Sequence, residues 1–133
     1  MNPPVSRLKR RAEFLRVAAE RNKWVAPGLV LQARLRNQDA GDTLPSDAIR
    51  VGFTVSRKVG GSVERNRARR RLRAAVAAVL PLRGRPGFDY VVIGRRTTLN
   101  RSFNALLDDV TMALDRLGRQ GRKPRAAGAE PPS

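Results

Sequence analysis

The chain has 133 residues and a formal net charge of +17 at pH 7, with 28 lysines and arginines against 11 aspartates and glutamates. It contains no cysteine and no histidine, which excludes a disulfide framework, a thiolate metal site and imidazole catalysis. With 41% hydrophobic residues it is the size of one domain with a modest core, and its charge indicates a polyanionic partner.

Nucleic acid and an anionic membrane surface are the two polyanions that could match this charge. A membrane-spanning helix needs about 18 consecutive apolar residues, whereas the longest apolar run, around residues 74–80, is followed by Pro81. The N-terminal stretch MNPPVSRLKRRAEFL lacks the apolar segment of a signal peptide. We therefore expect a soluble, unexported protein of the cytoplasm without a membrane partner.

The first half of the chain predicts one helix and two strands. Ser6 is the expected N-cap of a helix in RLKRRAEFLRVAAER, where apolar residues lie among charges. In APGLVLQARLRN the apolar positions alternate with Gln32 and Arg34, which predicts a strand, and NQDAGDTLPSD is typical of a polar turn. The segment AIRVGFTVSRKVGG alternates as well, and its small, basic face with Arg50 and Thr54 could take a ligand.

The second half predicts a helix, a strand and a final helix. A glycine pair ends the second strand, and Ser62 can cap the helix that follows. FDYVVIGRR is a short apolar strand, and NRSFNALLDDVTMALDRLG is a helix with Phe103 on its inner face and Gly118 just after its end. The pattern indicates an α+β sandwich formed by a single domain over residues 1–118, with an unpacked basic tail rich in proline and glycine over 119–133.

Six arginines lie between positions 65 and 73, in the stretch ERNRARRRLR. On a helix, one apolar stripe would anchor this segment to the sheet; it consists of Ala68, Leu72, Ala75, Val76, Val79 and Leu80. Cations near the start of a helix oppose its dipole by about 0.3–1 kcal/mol each, so a purely structural helix gains nothing from them. A phosphate backbone explains the cluster better than a solvated face, which would scatter its charge, because arginine forks match phosphate oxygens.

The composition of this motif favours backbone and shape recognition over base readout, because Asn66 is the one amide among its arginines, and this suits structured RNA. Charge by itself leaves DNA open as a partner. No close pair of carboxylates accompanies the motif. Glu64 is expected to stabilise the helix start, and Asp108 and Asp109 to favour the N-terminal dipole of the last helix, so we do not expect the chain to supply a general base.

The stretch RVGFTVSRKVGGSVERNRARRRLRAAV, residues 50–76, resembles the signature of bacterial ribonuclease P protein subunits: a strand ending in a TVS-K-K-like run, a glycine turn and an R-N-R helix. The opening RLKRRAEFLRV, the strand DYVVIGRR and the closing helix are similar as well, so the resemblance covers about residues 6–118. It implies a two-layer α+β sandwich of helix, three strands, helix, strand and helix. The family has a left-handed crossover through the R-N-R helix, as in domain 2 of ribosomal S5-like proteins.

The resemblance also implies a function, that of a subunit of a ribonucleoprotein endonuclease which removes the 5′ leader of precursor tRNA and leaves a 5′-phosphate on the tRNA. Its partners would be the catalytic ribonuclease P RNA and the precursor tRNA. Magnesium (Mg2+), held mainly by the RNA and the substrate, would perform the chemistry, so no catalytic residue is expected in the protein. Two alternatives stay open, a ribosomal-type RNA-binding protein without a role in cleavage and an architectural DNA-binding protein.

Residue by residue, the resemblance assigns two binding surfaces. The residues expected to contact the catalytic RNA are Arg65, Asn66, Arg67, Arg69, Arg70 and Arg73. A cleft between the first helix and the sheet is expected to bind the single-stranded leader; its residues are Phe14, Arg50, Thr54, Ser56, Arg57 and Lys58. In this cleft Phe14 either stacks on a base or belongs to the core.

The cleft of this chain departs from the family pattern in its aromatic residues. Many members carry further aromatic side chains where this chain has Ala18 and Gln32, so we expect weaker stacking on the leader. Trp24 follows the first predicted helix and either compensates for the missing rings or packs in the core.

Overall fold

The computed structural model describes residues 4–36, 45 and 47–120, with side chains as far as residue 117. Within these ranges the chain forms five strands, three helices and two 3-10 turns. In chain order they are β1 (Val5–Arg7), α1 (Arg11–Ala19), β2 (Lys23–Val25), β3 (Leu29–Leu35), β4 (Ile49–Thr54), a first 3-10 turn (Arg57–Val59), α2 (Ser62–Arg83), β5 (Phe88–Gly94), a second 3-10 turn (Arg96–Leu99) and α3 (Phe103–Gln120).

The five strands form one sheet in the order β1-β4-β5-β3-β2. β4 is parallel to both of its neighbours, β1 and β5, while β3 is antiparallel to β5 and β2. α2 provides the long crossover that a parallel β4–β5 pair requires, whereas a short turn at Pro27 and Gly28 joins the antiparallel hairpin β2–β3. The predicted order of helix, three strands, helix, strand and helix is present from α1 onward, and one further strand, β1, precedes it.

The two faces of the sheet bury different clusters, because side chains alternate along each strand. Leu31, Val51 and Tyr90 belong to the face that packs against α2 and α3 and forms the main core. α1 lies on the opposite face, where Val17 packs on Val91 in a small second cluster. The predicted α+β sandwich is therefore confirmed, with the sheet and the α2–α3 pair as its two layers, and α1 adds a partial layer on the second face.

Helical spacing correctly predicted the buried side of α2. The buried residues of this helix are Ala68, Leu72, Ala75, Val76, Val79 and Leu80. They form the expected apolar stripe, and the arginines of the same helix lie outside it.

The predicted start of the first helix is wrong, because a distant partner outweighs a local signal. Ser6 does not cap α1 but lies in β1, opposite Arg50 of β4. α1 begins at Arg11, where the Glu13 carboxylate accepts hydrogen bonds from the two backbone N–H groups just before the helix, at 2.8 and 2.9 Å. Strand pairing thus uses the backbone around Ser6, and an acidic side chain inside the first turn satisfies the helix start.

α3 also differs from its prediction in three places. Phe103, at its first turn, is 41% exposed rather than buried, and the helix continues through Gly118, since glycine accepts a helical backbone. Asp109 does not serve the helix dipole; it is buried and receives the Arg101 guanidinium at 2.6 and 3.0 Å. The first two residues of the predicted tail therefore belong to α3, and residues 121–133 lie outside the described part of the chain.

Candidate nucleic-acid interface

A tight loop between β4 and α2 sets the start of the arginine-rich helix. Gly60 has a φ of 153°, and a Cβ at this position would lie 2.8 Å from the side chain of Glu64, so the loop requires glycine here. Ser56 accepts a backbone hydrogen bond at 3.3 Å and closes the first 3-10 turn. The N-cap of α2 is Gly61, one position before the predicted Ser62, and no side chain caps the helix. Its first N–H groups are therefore available to an anion.

The predicted catalytic-RNA contacts lie on the outer side of the N-terminal half of α2. Four of them are exposed and two are half-buried; in that order they are Asn66, Arg67, Arg70, Arg73, Arg65 and Arg69. Three of the arginines have weak contacts within the protein. Arg65 donates to the Gly60 carbonyl at 3.1 Å, Arg69 donates to the Asn66 side chain at 3.4 Å, and the Arg73 guanidinium lies 6.0 Å from the Phe53 ring centroid.

The charge of the arginine cluster in the N-terminal half of α2 is not neutralised by carboxylates within the described part of the chain. Arg67 and Arg70 make no hydrogen bond or ion pair there, and none of the arginines at positions 65–73 pairs with a carboxylate. Glu64 is the single acid in the sequence of α2. The cations therefore add to the positive end of the helix dipole, and together they form an exposed surface suited to phosphate groups.

One arginine of the cluster faces the protein instead. Arg71 donates from Nε to the Thr98 carbonyl at 2.9 Å and from Nη2 to the Arg101 carbonyl. These two bonds attach α2 to the segment that follows β5. The repeated arginines thus differ in role, and the sequence motif does not distinguish them.

The second surface is the face of the sheet beside α1. Strand register places two rows across β4, β5 and β3 on this face, first Gly52, Val91 and Gln32, then Thr54, Ile93 and Val30. The Phe14 ring lies directly over Gly52, where any Cβ would collide with it. α1 thus covers the first row, while the second row is half-buried. The predicted cleft therefore corresponds to this half-buried second row, which would be its floor, and to the Phe14 side of α1, which would be its wall.

The predicted cleft residues reach this surface to different degrees. Phe14 and Thr54 are half-buried on the same face of the sheet, at the wall and the floor of the cleft. Ser56, Arg57 and Lys58 follow at the carboxyl end of β4 and are exposed. The side chains of Arg57 and Lys58 make no hydrogen bond or ion pair within the described ranges, so their charges are available at this end of the cleft.

Trp24 does not belong to the cleft. It lies in β2 and packs on the main core, and the Arg116 guanidinium lies 5.4 Å from its ring centroid. Gln32, by contrast, faces α1, and Ala18 is exposed on α1 itself. Phe14 is therefore the one aromatic ring at the cleft among the residues that the structure describes.

Arg50 is engaged within the protein, although the motif assigned it to the cleft. It donates to both carboxylate oxygens of Asp89 at 2.9 and 2.7 Å and to Glu13 at 2.8 Å. Arg36 donates to the same Asp89 at 3.0 Å, and Asp89 is 1% exposed. Arg50 therefore joins α1 to the sheet, and its contact with RNA stays a prediction. Asp89, a lone carboxylate in an apolar strand, was the sequence signal for this network.

Glu13 makes the attachment of α1 sensitive to pH. Partial burial opposes ionisation, but the backbone N–H groups of Arg10 and Lys9 and the Arg50 guanidinium outweigh it and hold the pKa of Glu13 below its ordinary value of 4.5. A lowered folded-state pKa gives stability that is present above pH 4.5 and is lost as the pH falls through the folded value. We expect Glu13→Gln to lower the melting temperature at pH 7 and to reduce the loss of stability on acidification. The measurement is the melting temperature as a function of pH, and an equal decrease on acidification in the variant and the wild type would contradict this prediction.

None of the helices in the described ranges is long and apolar enough to cross a bilayer. Over the same residues, no three acidic, histidine or cysteine side chains converge into a group that could hold a metal ion.

Comparison with known proteins gives consistent matches. Residues 3–118 match the protein-family model described as Ribonuclease P. The ribonuclease P protein component of Paramagnetospirillum magneticum is 60% identical over 114 residues, which cover 86% of this chain and 84% of the relative. That of Ruegeria pomeroyi is 51% identical over 114 residues, or 85% and 86% of the two chains.

Solved structures agree with the sequence relatives. The RNase P protein from Thermotoga maritima superposes with a TM-score of 0.64 at 26% identity, over 85% of this chain and 96% of that one. The Staphylococcus aureus RNase P protein gives a TM-score of 0.65 at 21% identity, over 83% and 93% of the two chains, and supports the fold.

Proposed function

The chain belongs to the ribonuclease P protein family, and from this premise we propose how its two surfaces divide the work of the ribonucleoprotein. It is the protein subunit of an endonucleolytic tRNA-processing complex, and its partner is the ribonuclease P RNA. We propose that α2 binds the catalytic RNA and that the cleft beside α1 binds the 5′ leader of precursor tRNA.

The basic half of α2 supports the first assignment. Its exposed arginines have no carboxylate partners within the described ranges, and an apolar stripe fixes the helix on the sheet beneath them. Guanidinium groups in this arrangement bind phosphates of a folded RNA without reading its bases. This uncompensated charge is the observation that carries the proposed function.

The shape of the cleft supports the second assignment. A half-buried Phe14 forms the wall, Thr54 and its row form the floor, and exposed Arg57 and Lys58 lie at one end. A single strand needs a ring on which to stack and cations along its backbone, and this cleft offers one ring and two cations. We therefore propose that Phe14 stacks on a leader base while Arg57 and Lys58 hold leader phosphates.

Chemistry is assigned to the RNA in this proposal. The reaction is hydrolysis of the phosphodiester between leader and mature tRNA, with the phosphate staying on the tRNA 5′ end. Within the described ranges no three acidic, histidine or cysteine side chains converge, and Glu13 is committed to hydrogen bonds within the fold. We propose that magnesium is bound by the catalytic RNA and the substrate, and that the protein positions both RNAs in the cytoplasm.

Reconstitution tests the proposed function directly. We expect the purified protein to raise leader removal by a ribonuclease P RNA at low magnesium, where additional cations on the protein compensate for missing counterions. Leader removal is followed on precursor tRNA labelled at its 5′ end. Tight RNA binding without any gain in cleavage would instead support the ribosomal-type alternative.

Phe14→Ala should weaken precursor tRNA binding by the assembled holoenzyme. Loss of one base–ring contact costs about 1–3 kcal/mol, or roughly 5- to 150-fold in affinity. The measurement is the dissociation constant for precursor tRNA, compared with that for mature tRNA, which lacks the leader.

Two further variants separate stacking from folding. Phe14→Leu keeps apolar bulk over Gly52 but removes the aromatic face, so it should also weaken leader binding. Leu15→Ala, at the next and 52% exposed position of α1, is the matched control and should have little effect. Equal precursor affinity in the wild type and both Phe14 variants would assign this ring to the core.

A further inference from the structure

Arg71 has partners within the protein, although it lies inside the arginine cluster. Its guanidinium donates to the carbonyl oxygens of Thr98 and Arg101, in the segment between β5 and α3. The adjacent Arg70 is exposed and has no hydrogen bond or ion pair within the described ranges. Of these two neighbouring arginines, Arg71 is therefore hydrogen-bonded within the protein, whereas Arg70 faces solvent.

The second 3-10 turn carries the connection from Arg71 to the hairpin β2–β3. Thr98 is fully buried, and its hydroxyl donates to the Gly28 carbonyl at 2.6 Å and accepts from the Arg95 backbone N–H at 2.9 Å. The Arg95 guanidinium donates to the Ala26 carbonyl at 2.6 Å, and the Thr97 hydroxyl donates to the Pro27 carbonyl. Three successive carbonyls of the hairpin turn are therefore held by this one segment.

Asp109 of α3 secures the same hairpin turn from another side. It accepts the Gly28 N–H at 3.0 Å and both Arg101 donors at 2.6 and 3.0 Å. A Cβ at Gly28 would lie 2.6 Å from both Asp109 and Leu106, so the turn fits tightly against α3. The hairpin turn consequently has little room to shift while these bonds are present.

The held hairpin leads directly to the cleft. Residues 26–28 of the turn are followed by Leu29 and Val30 of β3; Val30 pairs with Val25 of β2 and belongs to the floor of the cleft. We propose that Arg71 is a positioning residue which ties the floor of the leader cleft to the R-N-R helix, so that both RNA surfaces keep one relative placement. The inference rests on the proposed function, because it takes α2 as the catalytic-RNA surface and the cleft as the leader surface.

The test measures the leader gain, which is the ratio of holoenzyme affinities for precursor tRNA with a long leader and with a one-nucleotide leader. Holoenzyme is assembled at saturating protein. Arg71→Ala should reduce the leader gain by roughly 2- to 30-fold, yet leave the salt slope of catalytic-RNA binding unchanged, because it removes no phosphate contact. Arg70→Ala should instead lower the salt slope of catalytic-RNA binding by about one and leave the leader gain unchanged.

Thr98→Val probes the same linkage away from the arginines. It keeps the side-chain shape and the carbonyl that Arg71 uses, but it cannot form the bond to Gly28. Thr98→Val should also reduce the leader gain. When it is combined with Arg71→Ala, the fold reduction should be smaller than the product of the two single reductions, because both residues act through the same hydrogen-bonded segment. Arg83→Ala, at an exposed ion pair on the same helix, is the matched control and should retain the full gain.

The outcomes separate this inference from the proposed function. A full leader gain in Arg71→Ala and Thr98→Val, or a salt slope that falls in Arg71→Ala as in Arg70→Ala, would overturn the positioning role. A wild-type holoenzyme without any leader gain would remove the leader function and the inference with it. Faster amide hydrogen exchange at Gly28 in Arg71→Ala, with unchanged far-ultraviolet circular dichroism, would support the linkage within the protein.

Discussion

Replacing Arg67 and Arg70 together by alanine is expected to cause the largest loss of catalytic-RNA binding among double variants of this protein. Both side chains are exposed and have no partner within the described ranges. A hydrogen bond between charged groups contributes about 1.5–3 kcal/mol, so each arginine that binds a phosphate should be worth roughly tenfold or more. The salt dependence should also flatten, by about 0.9 in slope for each phosphate that the variant no longer neutralises.

A matched pair of cations controls for net charge. The double variant Arg16→Ala, Arg83→Ala also lowers the net charge by two, but it removes one charge from α1 and one from the carboxyl end of α2. This control should change affinity slightly and leave the slope unaltered. The measurement is the dissociation constant for the ribonuclease P RNA at several salt concentrations, and equal slopes for the two double variants would show that Arg67 and Arg70 are bystanders.

Asp89→Asn is expected to cause the largest loss of stability. The carboxylate is 1% exposed and receives Arg36 and Arg50 at 2.7–3.0 Å. Breaking a buried ion pair on one side costs about 3–5 kcal/mol, because charged groups are left in the protein without their partner. Native proteins have a free energy of unfolding of about 5–15 kcal/mol, so this single change should remove a large fraction of it.

An exposed ion pair provides the control for this prediction. Asp115→Asn removes the ion pair with Arg83, whose side chain is 52% exposed, and should cost about 1 kcal/mol or less. Urea unfolding with an unchanged denaturant slope would give both values. A destabilisation below about 1 kcal/mol for Asp89→Asn, no larger than that of an exposed pair, would show that Arg36 and Arg50 find other partners without cost.

Among the residues that the structure describes, arginines occur in at least three kinds of surroundings. Arg67 and Arg70 are exposed on α2 and suited to RNA. Arg50 is held by carboxylates and joins α1 to the sheet, whereas Arg71 is held by backbone carbonyls and joins α2 to the segment after β5. Some arginines therefore attach parts of the fold to one another, while others form the surface proposed for RNA. Substitutions at the first kind of site should lower stability in unfolding experiments, and those at the second should change the salt dependence of RNA binding.

Much of the fold and of the first surface could be predicted because the signals are local. The spacing of Ala68 and Leu72 on α2, and the alternation that separates Leu31 from Gln32, follow from helix and strand geometry. The R-N-R motif lies within a single helix, so its outward direction follows from the apolar stripe beneath it. The TVS-K-K-like strand end and the glycine turn, which are also local features, indicated the family.

Features that depend on residues far apart in the chain could not be predicted in this way. Ser6 became part of a strand because β4 offers a pairing edge, and Arg50 turned inward because Asp89 lies opposite it in the adjacent strand. Nor could spacing separate Arg70 from Arg71, since only the packing of the segment after β5 gives Arg71 its two carbonyls. Local pattern is therefore enough to identify a basic α+β protein with an arginine-rich helix, whereas long-range packing selects which of its arginines remain exposed.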